Sequence, residues 1–342
     1  MAFFRRTAKK MTIGCLAAAW LLCAAQAPLD AAGLNPVSSN IGISSLTFSW
    51  PGGAPGSYTT VLSTASDFSV LTATGTGTFS VTTMTYLNLT QNEVYFFRVK
   101  RSTDLNPAYE AQAGSPTVTY ATAPSGLDFV PGDFVSDSSA AARIGLTWSV
   151  NGNPEWTDYL IEYYKVGGPA WGLTFTETLP PVSLSALEAN TSYYFRVRAV
   201  SVDSVQSAPS GIVSTATLAV ALPGITATVY ETSSTISWQK LDSAVQAQRA
   251  EGYRLTLSLA ENMASTLANF STPDNTQSST TLSGLNPNTT HYYRVGTLNL
   301  NGAMNSDSIR SFTTLAVQPQ GLQFIGAAGT QTARLGWAAL PA

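Results

Sequence analysis

One segment returns at a fixed interval, and that interval constrains the fold more than anything else in the chain. Tyr95-Phe96-Phe97-Arg98-Val99 recurs as Tyr193-Tyr194-Phe195-Arg196-Val197 and as His291-Tyr292-Tyr293-Arg294-Val295, 98 residues apart both times. A leucine stands six residues before each copy (Leu89, Leu187, Leu285) and an asparagine three before it (Asn92, Asn190, Asn288). Three aligned features at one domain-sized interval define tandem copies of a single folding unit.

A second motif precedes the first by about half a repeat. Leu46-Thr47-Phe48-Ser49-Trp50, Ile144-Gly145-Leu146-Thr147-Trp148, Ile236-Ser237-Trp238 and Leu335-Gly336-Trp337 alternate apolar and small or polar residues and end in tryptophan. Alternation with period two is the mark of a strand with one buried face. A third strand signal follows each of the first three tryptophans, at Tyr58–Leu62, Tyr159–Tyr163 and Tyr253–Leu257. Turn signals such as Pro51-Gly52-Gly53, Asn151-Gly152-Asn153-Pro154 and Gly167-Gly168-Pro169 separate the strands. Many short strands at such spacing predict an all-β sandwich or barrel. The one stretch with helical composition is the insertion Ser243–Glu251, expected to form a short helix in a loop.

Proline marks the repeat boundaries, at Pro124, Pro223 and Pro319. Linkers of a few residues carrying proline predict a semi-extended, monomeric string. The N-terminus is a separate object. Arg5, Arg6, Lys9 and Lys10 precede an apolar run from Met11 to Ala25 and then small residues, the layout of a secretory signal peptide, assigned to residues 1–27. The run is short of the ~20 residues that span a bilayer, which disfavours a retained anchor. Twin-arginine and lipoprotein readings fail on the residues around Arg5-Arg6 and before Cys23. The chain is therefore expected to be secreted or displayed at the cell surface, without membrane insertion after cleavage.

Removing that segment leaves 13 basic against 20 acidic residues, a net charge of −7. With no Lys/Arg cluster, this is a poor match to phosphate backbones, so no nucleic acid is expected. Both cysteines, Cys15 and Cys23, go with the signal, which excludes disulfides, thiolate metal sites and cysteine nucleophiles.

The chain resembles the fibronectin type III family. The resemblance rests on the strand-B tryptophans Trp50, Trp148, Trp238 and Trp337. It rests also on a Leu-x-Pro-x-Thr-x-Tyr-x-x-Arg-Val signature, fitted best by Leu285-Asn286-Pro287-Asn288-Thr289 with Arg294-Val295. Ser63–Phe68 is similar to strings of bacterial surface proteins of this type. The resemblance implies tandem immunoglobulin-like β-sandwiches, three complete plus the start of a fourth. Their expected bounds are 33–120, 122–217, 221–316 and a truncated 318–342. It further implies a tyrosine corner, in which the first tyrosine of strand F bonds back to the preceding turn. The expected structural core is Trp50, Trp148, Trp238, Tyr95, Tyr193, His291, Leu89, Leu187 and Leu285. Gln91 and Ala189 replace the signature proline, and His291 replaces the third corner tyrosine, which should weaken that corner.

Catalytic chemistry is sparse. His291 is the one histidine, so a triad or a His/Cys metal site has no partners. Asp133 with Asp137, and Asp242 with Glu251, lack calcium-loop spacing. No cofactor, metal or catalytic residue is assigned. The outward face of strand F offers a binding surface of Phe96/Arg98, Tyr194/Arg196 and Tyr292/Arg294, with Trp156 and Trp171 as further candidates; a protein or glycan would be the ligand. The expected function is a non-enzymatic extracellular spacer or adhesion array. The alternative is an accessory region of a larger secreted polysaccharide hydrolase or peptidase.

Overall fold

The computed structural model describes residues 34–51, 57–77, 82–101, 111–136, 141–177, 179–242, 244–245, 248–306, 308–326 and 331–339. The signal assigned to 1–27 lies outside them. So do Gly52, Gly53 and Asp137.

Among the described residues the regular elements longer than a single turn are strands. The first repeat holds β1 (Val37–Ile41), β2 (Leu46–Ser49), β3 (Tyr58–Ser63), β4 (Leu71–Gly77), β5 (Thr83–Tyr86), β6 (Val94–Arg101), β7 (Ala111–Gln112) and β8 (Thr117–Val118). The second holds β9 (Ser125–Ser136), β10 (Ala141–Ser149), β11 (Asp158–Lys165), β12 (Leu173–Glu177), β13 (Val182–Glu188), β14 (Ser192–Val200) and β15 (Val213–Ala216). The third holds β16 (Thr226–Val229), β17 (Ser233–Ser237), β18 (Gly252–Ser258), β19 (Ala268–Ser271), β20 (Ser279–Ser283), β21 (Thr290–Leu298), β22 (Met304–Ser306) and β23 (Arg310–Thr313). A last pair, β24 (Gln323–Phe324) and β25 (Leu335–Gly336), follows.

The strand order repeats with the sequence. A three-stranded sheet runs β1-β2-β5, then β9-β10-β13, then β16-β17-β20. A larger sheet runs β4-β3-β6-β7, then β12-β11-β14-β15, then β19-β18-β21-β22. β8 adds to β6, and β23 adds to β21. This is the order of tandem immunoglobulin-like sandwiches.

By Cα packing the chain forms two compact units. One takes in the chain to Val130 with Leu146–Val182 and Tyr194–Ser214; the other takes in Pro131–Gly145, Ser183–Tyr193 and Thr215–Ala342. In the first unit, Leu46, Phe48, Trp50 and Tyr86 from one sheet meet Tyr58, Leu62, Tyr95, Phe97 and Val99 from the other in one buried cluster. Phe48 stacks on Phe97 with centroids 4.1 Å apart. In the second unit, Ile236, Trp238 and Leu282 meet Tyr253, Leu255, Leu257, Tyr293, Val295 and Phe312 in the same way. The alternation explains this directly, because in β17 the residues switch between half-buried and buried at each step.

The strand-B tryptophan has a constant partner, the tyrosine that opens the third strand. Trp50–Tyr58, Trp148–Tyr159 and Trp238–Tyr253 centroids are 5.7, 5.4 and 5.2 Å apart. Such pairs add about 0.5–1.5 kcal/mol beyond area burial. Tyr159 and Tyr253 also hold the preceding loop through their hydroxyls: Asn153 Nδ2 donates to one (3.2 Å) and the Leu241 N–H to the other (2.9 Å).

No α-helix occurs among the described residues, and within the insertion Gln248 takes a 3₁₀ conformation. Ser243, Gln246 and Ala247 lie outside them. Beside them the chain makes three-residue turns, Val245 N–H to the Asp242 carbonyl (3.1 Å) and Gln248 N–H to the Val245 carbonyl (2.8 Å).

Candidate functional site

The turn before strand F (β6, β14 and β21) is built on one backbone plan three times. Asn92, Asn190 and Asn288 sit at φ 49°, 47° and 47°, the left-handed region that asparagine tolerates better than other side-chain-bearing residues. A threonine one residue past the last strand clasps each turn. Thr119, Thr217 and Thr314 accept N–H groups from Glu93, Thr191 and Thr289 at 3.0, 2.9 and 2.9 Å. Each hydroxyl then donates to a turn carbonyl, of Thr90, Glu188 or Asn286, at 2.7, 2.7 and 2.6 Å.

The corner tyrosines complete the first two turns. Tyr95 Oη accepts the Thr90 N–H (2.9 Å) and Tyr193 Oη accepts the Glu188 N–H (3.0 Å). The third corner is wired differently. His291 Nδ1 lies 3.0 Å from the Thr289 carbonyl, which can only accept, so Nδ1 carries the proton. Its ring stacks on Phe312 at 5.3 Å. All nine residues expected as core are buried: Trp50, Trp148, Trp238, Tyr95, Tyr193, His291, Leu89, Leu187 and Leu285.

Two of the three turn asparagines reach into the repeat that follows. In the first unit, Asn92 is fully buried. Its Oδ1 accepts the Val202 N–H at 2.7 Å and its Nδ2 donates to Thr157 Oγ1 at 2.8 Å. Trp156 Nε1–H adds a bond to the Asn92 carbonyl (3.0 Å), and Ser201 Oγ accepts the Ala121 N–H (2.8 Å). In the second unit, Asn190 Oδ1 accepts the Leu300 N–H at 2.8 Å and Nδ2 donates to Glu251 Oε1 at 3.1 Å. Asn299 Nδ2 caps the Ala216 and Thr217 carbonyls at 3.1 and 3.0 Å. Val202 and Leu300 are 98 residues apart, so one joint is built twice from the same positions.

A family-profile match falls on the middle repeat: the fibronectin type III domain matches residues 130–216. The chain contains a fibronectin type III domain. No curated protein matches the sequence. Among solved structures, chicken CNTN1 FN1-FN3 domains are similar at 14% identity and TM-score 0.32, covering 83% of this chain and 99% of that one. A two-domain fibronectin type III segment of chicken tenascin gives 17% identity and TM-score 0.32, covering 56% and 99%. Fibronectin type III domains are generally non-catalytic and are common in extracellular modular proteins that bind or space.

The outward face of strand F differs between the repeats. Phe96, expected on a binding surface, is 5% exposed. It packs with Val61, Phe68, Val94 and Val118 in a second apolar cluster, because Phe68 takes a left-handed backbone (φ 57°) at a turn after β3. Arg98 lies over Phe68, 4.3 Å from the ring centroid.

In the second repeat Arg196 covers Trp171 (3.9 Å), Tyr164 meets Trp171 edge-on (5.0 Å), and Tyr164 stacks on Tyr194 (5.1 Å). All four are half-buried. Glu162 takes Arg196 Nε at 2.7 Å and Arg198 Nε at 2.9 Å. Burial pushes the Glu162 carboxyl up, but hydrogen bonds from Arg196 and Arg198, and their charges, outweigh it and hold the group below the usual glutamate range. Sequence reading missed this ion cluster: Glu162 lies within the Tyr159–Tyr163 strand signal, but its partners Arg196 and Arg198 come from β14, which only the sheet pairing brings beside β11. In the third repeat Tyr292 is half-buried and Arg294 exposed. Trp156 and Trp171 serve different places: the first belongs to the Asn92 joint and the second to the strand-F face.

Asp137 lies outside the described residues, and Asp242 and Glu251 bond to separate partners. Asp133 pairs with Arg143 at 2.7 Å and accepts Ser183 Oγ–H. Asp242 Oδ1 takes the Ala244 N–H (2.9 Å), while Glu251 serves Asn190. Among the described residues no group of three His, Cys, Asp or Glu is placed to hold a metal ion, and no helix is long and apolar enough to cross a membrane.

Proposed function

We propose that the chain is an exported, non-catalytic array of fibronectin type III modules that acts as a spacer or adhesion element. The observation that carries this reading is the twice-built joint: Asn92 and Asn190 each hold a loop amide 110 residues downstream. A protein whose recurring polar side chains fasten one repeat to the next is organised to transmit position and force along the chain. The partly covered Trp171–Arg196–Tyr194 face supports an adhesive role, with a protein or glycan as the ligand. Export rests on the basic and apolar layout of residues 1–27.

The test has three arms. Mass spectrometry of the protein from medium and cell fractions gives its N-terminus, and a chain found only in the cell fraction with residues 1–27 retained would remove export. A glycan and matrix-protein array tests adhesion, with Trp171→Ala as control. A hydrolase screen on residues 33–316 showing turnover would overturn the non-catalytic assignment.

A further inference from the structure

The turn at Asn288 is a third copy of a seat that the chain fills twice. Its backbone is already formed. Asn288 has φ 47°, its N–H reaches the Leu315 carbonyl (3.1 Å), and Thr314 clasps the turn as Thr217 does. The filled counterpart is the same, with the Asn190 N–H on the Leu218 carbonyl at 3.0 Å. The linkers match as well: Thr217-Leu218-Ala219-Val220 is repeated as Thr314-Leu315-Ala316-Val317.

What differs is occupancy. Asn190 is 5% exposed and bonded through both carboxamide atoms. Asn288 is exposed, and its carboxamide has no hydrogen-bond partner among the described residues. Ala219 and Val220 are buried, and their carbonyls accept Asn305 Nδ2 (2.7 Å) and Thr297 Oγ1 (2.8 Å). Ala316 is exposed and Val317 half-buried.

We infer that Asn288 and the Thr314–Val317 segment form a docking seat for the loop that corresponds to the β14–β15 and β21–β22 connections in a further fibronectin type III module joined in the same chain. The occupant's chemistry follows from the two filled seats. It presents a backbone N–H to Asn288 Oδ1, from the loop position held by Val202 and Leu300. It presents a hydroxyl or carboxylate acceptor to Nδ2, as Thr157 and Glu251 do. In the Asn190 seat it also supplies side-chain amide and hydroxyl donors to the linker carbonyls. An isolated anion would not match this pattern, because the seat demands a donor as well as an acceptor. Phe324 in β24 is 73% exposed and Trp337, just after β25, 59%, whereas Trp50, Trp148 and Trp238 are at most 5%.

This inference rests on the array reading but not on any ligand, and the following experiment reads docking alone. Residues 221–316 are appended after Val317, in register with the natural third repeat, and hydrogen exchange is followed at the appended copy of Leu300. The expected result is exchange slowed by about ten-fold or more against an exposed loop amide, lost in Asn288→Ala and kept in Asn190→Ala. Free exchange there, while the appended copy of Val295 stays protected, would overturn the inference. So would protection that rises with chain concentration, which would place a second copy on the seat. If the appended repeat fails to protect Val295, residues 123–218 are appended instead and Val202 is read. Failure of both to fold beside an intact Asn288 also counts against the seat.

Discussion

Asn92 Oδ1 accepts the backbone N–H of Val202, 110 residues further along, at 2.7 Å. The contact needs the left-handed backbone at Asn92, which aims the carboxamide out of its own turn, and a side chain that both accepts and donates. Asn92→Gly keeps the backbone and removes both bonds. Leaving the Val202 N–H unpaired is expected to cost about 1–3 kcal/mol. Asn92→Ala should cost about 1 kcal/mol more, because a Cβ is strained in the left-handed region. Asn92→Asp keeps the acceptor and loses the donor to Thr157, so it should fall between wild type and Gly. Urea unfolding of the three variants gives the order; an Ala variant equal to Gly would remove the backbone part of the argument.

This joint marks where sequence reading stopped. The turn asparagines were legible as a repeat, and their left-handed geometry followed from residue type. Their partners were not legible, because a backbone N–H carries no side-chain signature and the loops 110 residues away differ in sequence, Ser201-Val202-Asp203 against Asn299-Leu300-Asn301. The sandwich cores were readable because alternation dictates which face is buried, and Trp50 or Val295 cannot turn outward without reversing the whole strand. The outward face followed no such rule. Phe96 is buried because Phe68 folds over it, a packing decision made by a turn and not by strand periodicity.

The threonine clasp should matter as much as the corner tyrosine. Thr217 Oγ1 accepts the Thr191 N–H and donates to the Glu188 carbonyl, all at a buried residue. Thr217→Val preserves shape and removes both bonds. The expected loss is about 1–3 kcal/mol, set by the unpaired N–H. Tyr193→Phe removes the acceptor for the Glu188 N–H and should cost a similar amount or less, since that group is only part-buried. The two sites share one turn, so the double variant should lose less than the sum. A double-mutant cycle by chemical denaturation checks this.

Tryptophan quenching separates the exposed hairpin from the cores. Trp337 is 59% exposed, whereas Trp50, Trp148 and Trp238 are 4–5% exposed. Iodide should quench a fraction of the emission that disappears in Trp337→Phe, with no change in unfolding midpoint. Trp238→Phe should leave the quenchable fraction intact and lower the midpoint, since it removes buried volume beside Tyr253. A midpoint shift in Trp337→Phe would mean that β24 and β25 are packed against something.

Glu162 makes the stability of the second repeat sensitive to acid. Its folded-state pKa lies below the ordinary glutamate value of 4.5, because the bonds and charges of Arg196 and Arg198 overcome burial. For a carboxyl with a depressed folded pKa, the unfolded chain binds the proton first as pH falls. The stabilising contribution is therefore complete at pH values above 4.5 and is lost as pH drops through the lower folded value. Glu162→Gln should reduce the midpoint of thermal unfolding at pH 7, and the gap to wild type should close towards pH 3. Because Arg196 also covers Trp171, releasing it should expose that ring, and the near-ultraviolet circular dichroism of the variant should change at neutral pH. A gap that stays constant from pH 7 to pH 3 would show that Glu162 acts through packing and not through its charge.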